Sequence, residues 1–392
     1  MKLNKKISPW PSFTQKEADA VSKVLLSNKV NYWTGIEGRE FEKEFARWAE
    51  CEYAVALANG TVALDLAFKA LGVGSSDEVV VTSRTFLASV SSIVTAGAIP
   101  VFADVSLDSQ NIIVESVREK ITPKTKAILC VHLAGWPCDM DGMMALADEF
   151  GLYVVEDCAQ AHGAKYKGKP VGSIGDIGCW SFCQDKIMTT GGEGGMVTTN
   201  DQDLWSTMWS YKDHGKSWNS VYGEDHPPGF RWLHESFGTN WRMTEMQAAI
   251  GRIQLKRMPD WSGKRQANAS KIWETAKKCK GLRAPNMPDY IEHAAYKCYV
   301  FVEPDELKAD WNRDRVILEV NALGVPCFSG SCSEVYLEKA FDNTSFRPAE
   351  RLPNAKELGE TSLMFLVHPT LTAEEVGRTC KAIEKVMVQA SL

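Results

Sequence analysis

The stretch Ser181-Phe-Cys-Gln-Asp-Lys-Ile-Met-Thr-Thr-Gly-Gly-Glu-Gly-Gly195 decides how this chain is read. It sets Lys186 between a short apolar run and a glycine-rich turn. A lysine held there can be fixed in a pocket, reach a carbonyl and lose its proton through desolvation, which is what an amine nucleophile requires. Gly191–Gly195 superficially matches a dinucleotide-binding loop. It does not open a strand–loop–helix unit with a later acidic residue, so that reading is rejected.

Working outward, the flanking sequence alternates strand and helix from about residue 40 to 260. Strand-like runs at Glu78–Thr82, Ile99–Val105, Ala127–Leu133 and Leu152–Asp157 are separated by helical stretches at Phe86–Ala96, Ile113–Lys120 and Met140–Phe150. The runs are too continuously apolar for half-exposed strands, so the spacing predicts a parallel sheet covered on both faces. Short strands at Gly178–Phe182 and Met196–Thr199 flank the lysine loop. Helices follow over Thr244–Arg257 and Lys264–Lys278. A smaller α/β portion then has a strand near Tyr296–Val302 and helices near Trp311–Leu323 and Ala373–Val388. The segment Tyr211–Ser236, rich in His, Trp, Gly and Pro, has no periodicity and reads as an active-site or interface loop.

Bulk properties narrow the function. A chain of 392 residues exceeds the usual single domain. Its net charge of -6 offers no footprint for nucleic acid. Eleven cysteines, an odd number, sit mostly in apolar runs without Cys-x-x-Cys pairs, as expected of reduced thiols in a cytoplasmic protein. The start, Met1-Lys-Leu-Asn-Lys-Lys6, lacks the apolar core of a leader. No apolar run approaches the ~20 residues that span a membrane, and no metal-ligand spacing stands out.

Four elements can assemble a site for a phosphate-bearing pyridine ring. Asn59-Gly60-Thr61 opens a helix, Val62–Leu71, and offers backbone N–H groups to a phosphate, although such triplets are commonly plain caps. Phe86 follows a strand and can stack on a ring, or fill a core. Asp157 ends an apolar strand, where ligands of open α/β sheets bind, and a carboxylate there can hold a pyridine nitrogen protonated. Gln160 and His162 follow it. Ser181 and Lys186 complete the set.

Read in chain order, these elements resemble the DegT/StrS-type nucleotide-sugar aminotransferases of aspartate-aminotransferase fold. The resemblance runs through Tyr32-Trp-Thr-Gly35, Asn59-Gly-Thr61, Thr85-Phe86, Val131-His-Leu133, Glu156-Asp-Cys-Ala-Gln160, Ser181-Phe182, Lys186, Gly192-Glu-Gly-Gly195 and Thr199-Asn-Asp201. It continues through Asp213-His-Gly215 and Asn240-Trp-Arg-Met-Thr244 to Val367-His-Pro369. It implies a fold-type-I α/β architecture. An N-terminal arm and a large domain with a mostly parallel seven-stranded sheet covered by helices would occupy residues 1–258. A smaller C-terminal α/β domain would occupy 259–392.

The resemblance also implies pyridoxal 5′-phosphate (PLP) as cofactor, passing through pyridoxamine phosphate (PMP). It makes Lys186 the Schiff-base lysine and proton shuttle, Asp157 the partner of the pyridine nitrogen, Gln160 the contact to the ring hydroxyl and Phe86 the stacking aromatic. Gly60, Thr61 and Ser181 become phosphate ligands. Asn240 resembles a phosphate ligand donated by a second subunit of a homodimer. L-glutamate is the implied amino donor and a nucleotide-linked keto-sugar the acceptor.

The stretch Gly324–Tyr336 is similar to a subset aminating C4 of UDP-2-acetamido-2,6-dideoxy-4-ketohexoses for bacterial surface glycans such as O-antigen and lipopolysaccharide. Trp33, His162, Ser329 and Tyr336 are then the expected sugar contacts. A 3-keto-sugar aminotransferase (UDP-uronic acid or dTDP-sugar), a PLP-dependent sugar dehydratase and a regulatory relative remain alternatives. Lys186 favours amino transfer, since dehydratase relatives carry histidine there. Two departures stand out: an additional glycine at Gly191-Gly192, and a long insertion from Trp218 to Trp232.

Overall fold

The computed structural model describes residues 7–392; the charged start at residues 1–6 lies outside them. In chain order the strands are β1 (Tyr53–Leu57), β2 (Glu78–Thr82), β3 (Ile99–Ala103), β4 (Thr125–Val131), β5 (Tyr153–Asp157), β6 (Lys165–Tyr166) and β7 (Lys169–Pro170). They continue with β8 (Ile177–Ser181), β9 (Gly195–Thr199), β10 (Leu282–Arg283), β11 (Ile291–Glu292), β12 (Cys298–Val302), β13 (Cys327–Phe328) and β14 (Ser362–Phe365). Seven form the large sheet in the order β1-β9-β8-β5-β4-β2-β3. Pairing is parallel from β8 through β5, β4 and β2 to β3, while β9 runs antiparallel between β1 and β8.

Burial on both faces explains the unbroken apolar runs. Val79, Val80 and Val81 of β2, Val154 and Val155 of β5, and Ile128, Leu129 and Cys130 of β4 are all fully buried. Helices Gly60–Ala70, Leu87–Thr95 and Met140–Phe150 connect these strands. Because the parallel strands share a direction, β5, β8, β4 and β2 end on one rim. Asp157, Ser181 and Val131 therefore meet there, with Thr85 and Phe86 just beyond the end of β2.

A second, antiparallel sheet of order β10-β12-β14-β13 packs with helices Met258–Ala276, Arg313–Ala322 and Ala373–Ala390. All of these elements except Met258 fall within 259–392, the span expected for the smaller domain. That division is retained as a proposal, because contacts cross it. Val335, Tyr336 and Phe341 belong to the large sheet's core, and the Asp104 carboxylate accepts from the N–H groups of Asn354 and Ala355.

Several boundaries differ from the expected ones. Helices Gln15–Leu26 and Glu37–Trp48, and strand β1, precede the first elements assigned from sequence. The helix expected from Lys264 begins at Met258, because Pro259 sits in its first turn, where a proline starts a helix instead of breaking it. The strand expected from Tyr296 begins at Cys298. The segment 211–236 has a packed base. Trp218 lies 4.9 Å from Trp209 and 5.2 Å from Trp205, and Lys216 bridges His234. Its far end carries exposed Phe230 and Trp232.

The additional glycine has a backbone reason. Gly191 and Gly192 adopt φ of +92° and +125°, a region in which side-chain-bearing residues are strained. The turn reverses the chain after Lys186 so that β9 can pair back onto β8. A Cβ on Gly191 would lie 2.9 Å from Ile250 Cδ1, whereas one on Gly192 meets nothing. Gly192→Ala is expected to cost about 1–3 kcal/mol from backbone strain alone. Gly191→Ala should cost more, through the added contact, and comparing the thermal melting of the two variants with the parent checks this order.

Candidate active site

A cavity of about 1010 Å³ opens on the rim where the parallel strands end. Gly60, Thr61, Phe86, Asp157, Gln160, Ser181 and Lys186 all line it. At its floor, Asp157 is buried at the end of β5. Its Oδ2 accepts from Ser89 Oγ (2.8 Å) and its Oδ1 from the Ala159 N–H (3.1 Å). Burial raises this carboxyl above its usual range, opposed by those two hydrogen bonds and by the nearby Lys186 charge. Ser89 is itself joined to Thr85 Oγ1 at 2.8 Å.

One wall is the N-terminus of helix Gly60–Ala70. The Asn59 side chain accepts from Val62 N–H (3.0 Å), so the cap leaves the Gly60 and Thr61 N–H groups free to face an anion. Gly60 is required by close approach: a Cβ there would lie 2.5 Å from Ser181 Cβ. Phe86, 71% exposed at the start of helix Leu87–Thr95, also lines the cavity with an apolar ring. Gln160 Oε1 accepts from Ala134 N–H (2.8 Å), which leaves its Nε2 as the end able to donate.

Lys186 enters from the loop after β8. Its Nζ lies 3.7 Å from Asp185 Oδ1 and 5.4 Å from the centre of the Tyr296 ring, and the Tyr296 hydroxyl donates to Asp185 Oδ2. Its backbone carbonyl accepts from Trp10 Nε1 (2.9 Å), so the N-terminal arm clamps the lysine loop.

The remaining sequence candidates lie elsewhere. His162 is fully buried against Trp180 and Phe182 and does not line the cavity; burial pulls its pKa down to about 3, so it is neutral packing. Tyr336 is also a correction. It packs on Phe102 in the core, its hydroxyl donates to Glu334 and accepts from Leu352 N–H, and no part of it lines the cavity. Trp33 sits in an aromatic cluster with Trp209 and Tyr222 under the Lys216 ammonium, away from the cavity. Ser329 is exposed beside the lining residues Phe328, Gly330 and Ser331. Asn240 is exposed, pairs with Asp213 and does not enter this cavity. Ser89, Trp10 and Tyr296 carry no sequence motif, and only the fold brings them to the site.

The donor set suits a phosphorylated pyridine. It has a helix N-terminus and hydroxyl at one end, a buried carboxylate with no ion pair among the described residues at the other, an open aromatic face and an amine. The comparisons agree. The model of the DegT/DnrJ/EryC1/StrS aminotransferase family matches residues 11–384. The chain belongs to this family. It is 65% identical to the solved aminotransferase of Psychrobacter cryohalolentis, over 98% of this chain and 99% of that one, with a TM-score of 0.96. It is 43% identical over 260 residues to the GDP-perosamine synthase of Escherichia coli O157:H7, covering 65% of this chain and 67% of that protein. It is 34% identical over 369 residues to a UDP-N-acetyl-3-dehydro-alpha-D-glucosamine 3-aminotransferase of Acidithiobacillus ferrooxidans, covering 94% and 92%. It is therefore a PLP-dependent aminotransferase of the nucleotide-sugar type.

Ser89→Ala is expected to weaken PLP retention about tenfold, the ~1.5 kcal/mol of a hydrogen bond to a charged group. Titrating apo-protein with PLP and following the visible band measures it.

Proposed function

We propose that this enzyme transfers an amino group from L-glutamate to the C4 keto group of a UDP-2-acetamido-2,6-dideoxy-4-ketohexose, in the cytoplasm, for surface-glycan synthesis of the O-antigen or lipopolysaccharide kind. The observation that carries the amino-transfer part is the meeting of Lys186 and Asp157 in one cavity with the Gly60–Thr61 helix end and Ser181. The eleven free cysteines support a reducing compartment. No helix among the described residues is long and apolar enough to cross a membrane.

In this reading Gly60, Thr61 and Ser181 hold the cofactor phosphate, and Phe86 covers one face of its ring. PLP, when bound, supplies a carbonyl for the amine and an electron-withdrawing ring. Asp157 holds a proton at the ring nitrogen. A cation on that nitrogen would give the buried carboxylate an ion-pair partner, which it has nowhere among the described residues. Gln160 donates to the ring hydroxyl. Lys186 Nζ removes the proton from the α-carbon of the donor, and in the second half-reaction delivers and removes protons on the sugar side.

The sugar assignment rests on the likeness of Gly324–Tyr336 to the UDP-acetamido-sugar subset, and Gly330 and Ser331 of that stretch line the cavity. Gly330 cannot enlarge without striking Tyr299. A second reading, a GDP-linked keto-sugar, is supported by the 43% identity to a GDP-perosamine synthase. Incubation with glutamate and a panel of UDP-, GDP- and dTDP-linked 3- and 4-keto-sugars, with products read by mass spectrometry, separates the readings. Amination confined to a GDP-linked or 3-keto sugar would overturn the first. Lys186→Ala is expected to abolish transfer and the borohydride-fixed cofactor adduct on its peptide.

The proposal includes a homodimer in which Asn240 serves the partner's phosphate site. Its exposure away from its own cavity supports this. Mixed and refolded Lys186→Ala and Asn240→Ala chains should then recover activity that neither has alone. No recovery would place Asn240 outside the shared site.

A further inference from the structure

Two cations beside the active-site lysine have no role in the reading above. Lys297, just before β12, places its ammonium 4.7 Å from the centre of the Tyr296 ring, and Lys186 approaches the same ring at 5.4 Å. Both lysines line the main cavity. Lys297 also lines a smaller cavity of about 280 Å³, which shares Asp185, Tyr296 and Leu366 with the first and is closed by Arg265 and His368. Arg265 is only 1% exposed. Its Nη1 reaches the carbonyls of Ala295 (3.4 Å) and Tyr296 (3.3 Å), while Nε and Nη2 have no hydrogen-bond partner among the described residues. Its guanidinium lies 4.9 Å from the centre of the Trp10 ring.

The charges around this corner do not balance. Neither Lys297 nor Arg265 forms an ion pair within the described residues. The carboxylate facing Lys297 is Asp185, already engaged by Lys186 and by the Tyr296 hydroxyl. Burial pulls Lys297 down to about 8 and Arg265 down to about 9. His368, pulled down to about 4 by burial, adds no charge at neutral pH. Arg265 is buried and Lys297 half-buried, with one carboxylate, Asp185, facing three cations, an arrangement that is costly unless a further anion joins them. The position selects which anion. A group beside Lys186 must be bonded to, or very near, the reacting carbon. In an amino acid that group is a carboxylate. In a keto-sugar nucleotide the neighbours of the reacting carbon are neutral ring carbons, and the diphosphate lies across the pyranose.

We propose that Lys297, backed by Arg265, binds the α-carboxylate of the amino donor, and so governs the amino-acid half-reaction while leaving the sugar half-reaction alone. This rests on the amino-transfer reading above. The sugar identity does not enter it. Arg265 acts as a positioning residue, and Lys297 makes the contact.

The test separates the two half-reactions of the holoenzyme. Lys297→Met is expected to raise the glutamate half-saturation, followed by the loss of the PLP band, at least about tenfold, as for removal of one partner of a close charge pair. Lys297→Arg should stay near the parent. Calorimetric binding of glutarate, which has carboxylates but no amine, should weaken in parallel. With enzyme preloaded in the PMP form, the half-saturation for the keto-sugar should change by less than about twofold, since only an interaction made with the donor is removed. An unchanged glutamate half-saturation in Lys297→Met overturns the proposal. So does an effect confined to the sugar nucleotide, which would assign the anion to the diphosphate. A parent enzyme that takes an amino group from no amino acid would overturn the functional reading itself, and this proposal with it.

Discussion

The parallel pairing of β5 with β8, which sets Asp157 opposite Cys179 two residues before Ser181, is the constraint on which the site depends. It brings the carboxylate that would face a ring nitrogen and the hydroxyl that would face a phosphate to one rim. The helix at Gly60 closes on β8 because no Cβ intervenes. The lysine loop leaves from the end of β8 and returns through β9, so the amine is delivered over the same rim. Shifting β8 by one residue would turn Ser181 to the other face of the sheet.

Behind this rim a buried polar cluster stiffens the same strands. Glu156 accepts from the N–H groups of Gly172, Ile174 and Gly175 and from His132 Nε2, and His132 Nδ1 accepts from Cys138 N–H. Burial raises the Glu156 carboxyl, but its hydrogen bonds outweigh that and leave it below the usual range. His132, Glu156 and Cys158 lie close enough to suggest a metal site. Both Glu156 oxygens are already committed to N–H donors, so the cluster reads as support for the turn after β7. It ties 172–175 to the ends of β4 and β5, one layer away from Asp157. Together with Trp10 on the Lys186 carbonyl, it leaves both key side chains on backbones with little freedom to shift.

The central strands and the residues proposed to face the cofactor were legible because each carries a local signal. Fully buried strands are unbroken apolar runs, Asp157 ends one of them, and Asn59-Gly60-Thr61 opens a helix. Residues whose role depends on distant contacts had no such signal. Ser89 lies in the first turn of a helix and meets Asp157 across 68 residues. Trp10 reaches Lys186 across 176. His162 and Tyr336 sit in motifs that look functional, yet neither side chain lines the cavity. Proximity in sequence to a site residue does not determine which way a side chain points once the strand has turned.

By itself the sequence determined the family and the parallel sheet, and it singled out the lysine and the carboxylate proposed to act. The sheet follows from apolar runs along single elements, and the family from the resemblance carried by motifs in chain order. The tertiary structure decided the rest: which candidates share a cavity, why two successive glycines follow Lys186, and that Lys297 and Arg265 stand beside that lysine with no ion pair of their own among the described residues. Charge balance in a buried corner is a sum over elements far apart in the chain, here a helix near residue 265, a strand near 297 and a loop near 185. No local pattern encodes that sum before the chain folds.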